Sequence, residues 1–421
     1  MKVLFVNTND TSGGAARAAV RIMRGVQQNG VEAQMFVKFK NSQASDIVPL
    51  SRFVPTNILY KACDWITTKI KNKWQHHKWR PYKHTKQNLY FSDLRGTCMH
   101  GALQKMDYDI VHLHWINNRF LDINELKRVH KPIVWTLHDS WPFTGICHLP
   151  YECKLYEMHC GTCPMLGSNK ERDLAFEVFE KKLTIYKDLD LHIVTPSRWL
   201  AGCVKKSALL GRFPVQVIPN CIDTDLYQPM DKSDSRMVLG LDSNKKYLLF
   251  GAMQATSDKN KGFNLLLEAL KNISGTNIEL IIYGTNENLD RYDIPLPYRS
   301  IGYVQNDAVM VLLYNAADIT IVPSLSENLS NTIMESLSCG TPVVAFNIGG
   351  NYDMIDHMQN GYLAAEKDSA DLADGIEWCL KHNAEGLLGK NAREKVKDNY
   401  TIDIAAKKYI EFYSGLLLFK I

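Results

Sequence analysis

Residues 318–350, DITIVPSLSENLSNTIMESLSCGTPVVAFNIGG, decide how the rest of the chain is read. DITIVPS is a short, β-branched apolar run of the kind that forms a buried strand, and the polar residues 324–330 end on Ser330, a good helix N-cap. The spacing predicts a helix over 331–339, closed by Gly340, after which Pro342 starts a second apolar run, VVAF. The result is a strand–helix–strand unit. Glu327 falls in its loop and Glu335 about one turn inside its helix, so both carboxylates sit near the helix's positive end. The free amides of Asn331, Thr332 and Ile333 point into the same space, which makes an anion site bordered by acids. A phosphate on the amides, with carboxylates accepting from hydroxyls, suits a sugar nucleotide.

Two glutamates with seven residues between them, followed by SCGTPVVAFNIGG, resemble the E-x7-E signature of the retaining glycosyltransferases of family 4. That resemblance implies the GT-B fold. It is an α/β architecture of two Rossmann-like doubly wound domains facing across a cleft, with the C-terminal helix crossing back to the first domain. It also implies a nucleotide-sugar donor, with Glu335 on its ribose hydroxyls and Glu327 on its sugar. The diphosphate would lie on Lys261 and the amides around 329–333. The acceptor would attack on the face the diphosphate leaves, and no cofactor would be required for catalysis. Where relatives commonly place glycines in this loop, Asn328 and Ser330 stand here. Asn328, Leu329, Ser330, Asn331 and Thr332 are therefore candidate donor contacts, through side chains as well as amides.

A chain of 421 residues that is 45% hydrophobic is too long for one core and fits two α/β domains. A net charge of +4 argues against general nucleic-acid binding, and no nucleic-acid partner is expected. There is no apolar run of about 20 residues, and VLFV near the start is too short for a signal-peptide core, so a cytoplasmic protein is expected.

From the start, KVLFVN reads as a buried strand leading into a loop with Gly13 and Gly14 and an Ala-rich helix. Paired glycines there let backbone approach a ligand at a helix N-terminus, although a tight turn wants glycine for its own sake. By the resemblance, this loop faces the acceptor or the donor phosphate. Segment 46–95 is basic and aromatic, with Lys61, Lys69, Lys73 and Arg80 interleaved with Trp65, Trp74 and Trp79. It could lie on an anionic membrane surface, each basic residue contributing on the order of 1 kcal/mol, or it could be a solvated helical pair. A peripheral position on the inner face of the membrane goes with the first reading.

His112 and His114 share one side of a strand, where satisfied histidines at a sheet edge are the simpler expectation. His138 and Asp139 end the strand PIVWTLHD, whose tip should open on the ligand-binding end of the sheet. The resemblance implies a histidine here that contacts the transferring sugar, with Asp139 orienting it or capping the next turn. His138, Asp139 and Glu327 are thus the candidate catalytic residues.

Cys147, Cys153, Cys160 and Cys163 fall within 17 residues, whereas ten evenly spread cysteines would leave roughly 0.4 in such a window. Cys160 and Cys163 have C-x2-C spacing, and the four could hold a structural zinc, with His148 and His159 as spare ligands. Buried thiols and a disulfide are the alternatives. This insert, 140–170, lies outside the common family core but is similar to one in a subset acting in bacterial polysaccharide assembly, with the same WPFTG.

IPNCID has Cys221 where the family's motif commonly has glycine, which leaves the local backbone open. KGF brings Lys261, a point charge suited to a diphosphate. The domains are placed at 1–228, 229–402 and, for the returning helix, 403–421.

The reading is a retaining hexosyltransferase-type enzyme acting on a saccharide or lipid-linked saccharide acceptor, as in assembly of capsule, exopolysaccharide or O-antigen. Its rivals are a sugar-nucleotide epimerase of the same shape and a non-catalytic sugar-nucleotide-binding protein. A dinucleotide-dependent dehydrogenase fits worse, since the first loop lacks G-x-G-x-x-G.

Overall fold

A computed structural model describes residues 1–53, 69, 73, 79–82, 100–275, 277–383 and 385–418. Most of the basic segment 46–95, including Lys61, Trp65 and Trp74, lies outside the described residues. The chain forms two compact units, one of Met1–Ile218 with Ala405–Ile421, the other of Pro219–Ile404.

The first unit holds seven parallel strands: β1 (Lys2–Asn9), β2 (Glu32–Phe39), β3 (Ile47–Pro49), β4 (Ile110–Leu113), β5 (Ile133–Thr136), β6 (Leu191–Thr195) and β7 (Val215–Val217). Their order is β3-β2-β1-β4-β5-β6-β7. Strands buried on both faces need continuous apolar runs, and IVHL of β4 and IVWT of β5 are buried at every position. The order reverses between β1 and β4, which opens a crevice past their C-terminal ends. Gly13 follows β1 and His114 follows β4, so both stand at that crevice. β4 is interior, with β1 on one side and β5 on the other, so His112 and His114 are not at a sheet edge as expected.

The second unit holds six parallel strands: β8 (Lys246–Gly251), β9 (Ile278–Tyr283), β10 (Tyr298–Gly302), β11 (Ile319–Val322), β12 (Val343–Phe346) and β13 (Gly361–Ala364). They run in the order β10-β9-β8-β11-β12-β13. Here the reversal falls between β8 and β11, and residues 318–350 form the expected unit: β11, the helix Asn331–Ser338 and β12. Gly340 at φ 75° closes that helix in the left-handed region.

The first boundary lies inside the IPNCID segment. Ile218 still bonds to Thr195 of β6, whereas Ile222 donates its amide to the Tyr400 carbonyl at 2.9 Å in the second unit. Cys221 is fully buried and is not among the described residues of positive φ, so it packs as a small apolar side chain in ordinary backbone. The last helix, Ile402–Leu418, belongs to the first unit from Ala405 onward. Tyr409 and Tyr413 are fully buried there, each stabilising by about 1.5–3 kcal/mol if treated like other large side chains. Tyr413 OH lies 2.6 Å from His112 Nδ1 and Tyr409 OH lies 3.0 Å from Thr136 Oγ1, which ties the helix to β4 and β5. Among the described residues no helix is long and apolar enough to cross a membrane.

Candidate active site

In the second unit, the loops after β8 and β11 are stitched together. Asp258 accepts from the Asn260 amide at 2.9 Å and starts the turn Lys259–Lys261. Asn260 then donates its side-chain amide to the Ser326 carbonyl at 2.9 Å, and its own carbonyl accepts from Leu325 N at 2.8 Å. Gly262, at φ 69°, lies so close to this loop that a Cβ there would stand 1.8 Å from the Pro323 carbonyl oxygen. Only glycine fits, both for its backbone and for its space. These contacts carry Lys261 to Glu327, with Nζ 2.8 Å from Oε1.

Glu327 is held from its other side by the glycine pair that follows β12. A Cβ on Gly349 would stand 1.7 Å from the Glu327 carbonyl oxygen, and Gly350 N donates to that oxygen at 3.3 Å. Lys261, Glu327, Ser330 and Thr332 line one small cavity with Gly251 and Pro323. The helix Asn331–Ser338 opens toward this loop with no acidic residue in its first turn and no side-chain cap from Ser330. Ser330 thus leaves the helix's first amides uncapped.

Asn328, Leu329, Asn331 and Glu335 are not in the cavity lining. Leu329 is packed in the core of this unit, leaving only its backbone to serve a ligand. Glu335 is buried at 6% exposure, and Tyr314 OH donates to its Oε2 at 3.1 Å. Tyr283 OH lies 3.3 Å from Tyr314 OH. Sequence reading did not find these tyrosines, since Tyr314 sits on a helix where aromatic residues ordinarily mean core.

In the first unit, Gly13 adopts φ 90° and a Cβ there would meet nothing within 4 Å. The glycine is required by conformation, and the space around it is open. Gly14 begins the helix Gly14–Gln28, which has neither a side-chain cap nor an acid in its first turn. His138 stacks on His114 at 5.2 Å, with Nε2 2.9 Å from His114 Nδ1. Burial pulls the imidazole of His138 down to about 4, so it is neutral at physiological pH. His112 is satisfied at both nitrogens, by Thr136 Oγ1 at 2.7 Å and by Tyr413. His114 differs: its Nε2 is buried without a hydrogen-bond partner among the described residues.

Asp139 accepts from Trp141 N at 2.9 Å and from Trp115 Nε1 at 3.1 Å, the arrangement of a turn cap. Burial pushes its carboxyl up to about 6. The turn it caps, Trp141–Phe143, is organised around Lys182, a residue that nothing in the sequence singles out. Its amine is fully buried and donates to the carbonyls of Trp141, Thr144 and Gly145 at 2.5, 3.0 and 3.1 Å.

Cys147, Cys153, Cys160 and Cys163 are free thiols, with Cys147 and Cys163 buried in the first unit's core and Cys160 packed against it. His159 is engaged by Glu180 at 2.6 Å and by the Cys160 carbonyl at 2.7 Å. As the side chains stand, no three or more His, Cys, Asp or Glu groups among the described residues are placed to hold a metal ion.

Comparison with known proteins places these features. Residues 12–226 match the family model described as Glycosyltransferase Family 4, and residues 244–382 match the one described as Glycosyl transferases group 1. An uncharacterised glycosyltransferase of Methanocaldococcus jannaschii is 26% identical over 327 residues, covering 74% of this chain and 77% of its own. WcaC of Escherichia coli, a glycosyl transferase named for colanic acid biosynthesis, is 22% identical over 324 residues, with 74% and 76% covered. The structure of HepE from Anabaena, solved with UDP and glucose, superposes with a TM-score of 0.63 at 17% identity, covering 99% of this chain and 100% of that one. The two parallel sheets are those of a GT-B protein, and the chain belongs to glycosyltransferase family 4.

Proposed function

We propose that this transferase is a retaining enzyme that moves a hexose from a nucleotide donor to a saccharide or lipid-linked saccharide in assembly of a bacterial surface polysaccharide. The observation that carries the donor side is the small cavity at the C-terminal ends of β8 and β11, where a lysine ammonium, a carboxylate and an uncapped helix N-terminus converge. An ammonium and free amides suit a diphosphate, whose charge grows as the sugar leaves. HepE, solved with UDP, and WcaC, named for a polysaccharide, support the donor class and the product class respectively.

The ion pair bears on mechanism. Without donor, Lys261 Nζ at 2.8 Å compensates the charge of Glu327. On donor binding the diphosphate takes over Lys261 and frees Glu327 to accept from sugar hydroxyls. Glu327 then favours positive charge near the anomeric carbon, and the acceptor attacks on the face the diphosphate leaves. Glu335 holds the ribose hydroxyls, while Asn328, Ser330 and the amides of 329–333 complete the donor contacts. No metal is required for the chemistry. In the first unit, Gly13, Gly14, His138 and Asp139 serve the sugar and acceptor side, and neutral His138 acts as a hydrogen-bond partner rather than as a cation. The protein works in the cytoplasm, on the inner face of the membrane.

The test is nucleotide release. Radiolabelled nucleotide sugars incubated with the protein and a polysaccharide or lipid-linked acceptor should yield free nucleotide that depends on the acceptor. Interconversion of the donor without any acceptor would instead mark an epimerase, and binding without turnover a binding protein.

A further inference from the structure

Tyr283, Tyr314 and Glu335 form one buried hydrogen-bonded chain. Tyr283 ends β9, Tyr314 lies on the helix Asp307–Ala316 and Glu335 on the helix Asn331–Ser338. All three side chains are buried, and both tyrosines belong to the same apolar cluster as Ile333, Met334 and Leu337. A phenylalanine would serve such a cluster as well, and a buried hydroxyl is costly unless it has a partner. Each phenol carries one hydrogen. Tyr314 gives its hydrogen to Glu335 Oε2 at 3.1 Å, so toward Tyr283, whose hydroxyl lies 3.3 Å away, its oxygen can only accept. The donors therefore run from Tyr283 through Tyr314 to Glu335, and each bond strengthens the next.

The sheet makes room for this chain at the wall of the donor cavity. Gly251, the last residue of β8, is paired with Tyr283 across the two strands. A Cβ on Gly251 would stand 2.3 Å from Tyr283 Cδ1 and 2.5 Å from its Cγ, so the ring lies against the glycine's α-carbon. Gly251 is not in the left-handed region, and glycine is needed there for space alone. The same Gly251 lines the cavity with Lys261, Glu327, Ser330 and Thr332. Thr332 and Glu335 are three apart on one helix and thus neighbours on its surface. The two tyrosines run behind the cavity wall, from Gly251 to the carboxylate beside Thr332.

We propose that Tyr283 and Tyr314 are positioning residues that fix the Glu335 carboxylate in one orientation and so make the donor site select ribonucleotides over 2′- and 3′-deoxyribonucleotides. The inference rests on the reading that Glu335 holds the ribose hydroxyls. A glutamate without such a tether turns about its side-chain bonds and follows whichever hydroxyl a ligand offers. With Oε2 tied to Tyr314, the remaining lone pairs point in set directions, and a ligand lacking one hydroxyl leaves a buried carboxylate lone pair unmatched. Neither tyrosine touches the nucleotide in this assignment, and both act through Glu335.

The test is titration calorimetry of the full chain with UDP, GDP and ADP, each beside its 2′-deoxy and 3′-deoxy counterparts. For the nucleotide that binds the unaltered chain best, loss of either hydroxyl should weaken binding about tenfold or more. In Tyr314→Phe the ribonucleotide should bind about tenfold more weakly while the deoxy forms stay within about twofold, so the preference collapses. Tyr283→Phe should shift the preference the same way by a smaller factor, and it decides the matter if Tyr314→Phe does not fold. Tyr298→Phe, which removes a hydroxyl that donates to Asp290 at 2.8 Å on the surface, should keep the full preference. Full preference retained in the Tyr283 and Tyr314 variants, or an equal loss for ribo and deoxy forms, would overturn the positioning role. Nucleotide bound by the unaltered chain without any preference would overturn it together with the ribose assignment of Glu335 while sparing the donor cavity, and no nucleotide bound at all would overturn the donor reading as well.

Discussion

The Lys261 ammonium lies 2.8 Å from Glu327 Oε1, with the two side chains 24% and 16% exposed. They come from the loops after β8 and β11, the neighbouring strands at which the order of the second sheet reverses. In the proposed function the pair exchanges partners, since an arriving diphosphate would compete with the carboxylate for the same cation.

Lys261→Ala is therefore expected to weaken donor binding about tenfold or more, the worth of a charge-assisted hydrogen bond. Glu327→Gln keeps the shape and removes the charge, and should lower turnover while changing donor affinity little. Titration calorimetry together with steady-state kinetics separates the two effects. Equal losses of affinity in both variants would contradict the exchange.

Gly349→Ala places a methyl 1.7 Å from the Glu327 carbonyl oxygen, in a residue at φ 53°. The carbonyl is backbone and cannot rotate away, so the Glu327 loop must move. A stability loss of about 1–3 kcal/mol is expected, with activity abolished. Gly386→Ala, also in the left-handed region but facing open space, should cost stability and leave activity intact. Chemical denaturation and activity assays on both variants check the contrast.

Glu335→Gln is expected to lower donor affinity about tenfold if Glu335 holds ribose hydroxyls. Tyr314→Phe removes the hydroxyl that donates to Glu335 at 3.1 Å and should lower stability by about 1–3 kcal/mol. Unchanged donor affinity in Glu335→Gln would remove the ribose assignment.

Acid should destabilise the first unit. His112, His114 and His138 are all held below 6.5 by burial, His138 at about 4. The unfolded chain protonates these imidazoles below about 6.5 and the folded chain does not, so stability falls as pH drops from 6.5 toward 4. Asp139 acts in the opposite sense. Its carboxyl, raised to about 6 when folded, binds a proton that the unfolded chain binds only near 3.8. Three imidazoles outweigh one carboxyl, and unfolding near pH 5 should take up protons. A denaturation midpoint that is equal or higher at pH 5 than at pH 7.5 would contradict this.

The strands were legible because sheets buried on both faces write continuous apolar runs, as in PIVWT and DITIV. KGF and the final GG were legible as glycines at loops, and the structure supplies the reason: both press on the backbone of residues 323–327. What stayed hidden depends on contacts distant in the chain. Nothing local distinguishes Lys182 from Lys181, yet the first is fully buried and the second exposed. Tyr314 and Glu335 are 21 residues apart, and Tyr413 and His112 are 301 apart, so no periodicity could pair them. His112 and His114 were misplaced for the same reason, since strand order, which makes β4 interior, is a property of the whole sheet.

The central claim is that the cavity at Lys261 and Glu327 binds a nucleotide sugar, and the most direct measurement is thermal protection by UDP-, GDP- and ADP-sugars of the unaltered chain and of Lys261→Ala. At least one of these donors should raise the melting temperature of the unaltered chain in a saturable way, and the same donor should need about tenfold more ligand to protect Lys261→Ala. Protection of both proteins at the same donor concentration, or of neither by any donor, would contradict the assignment.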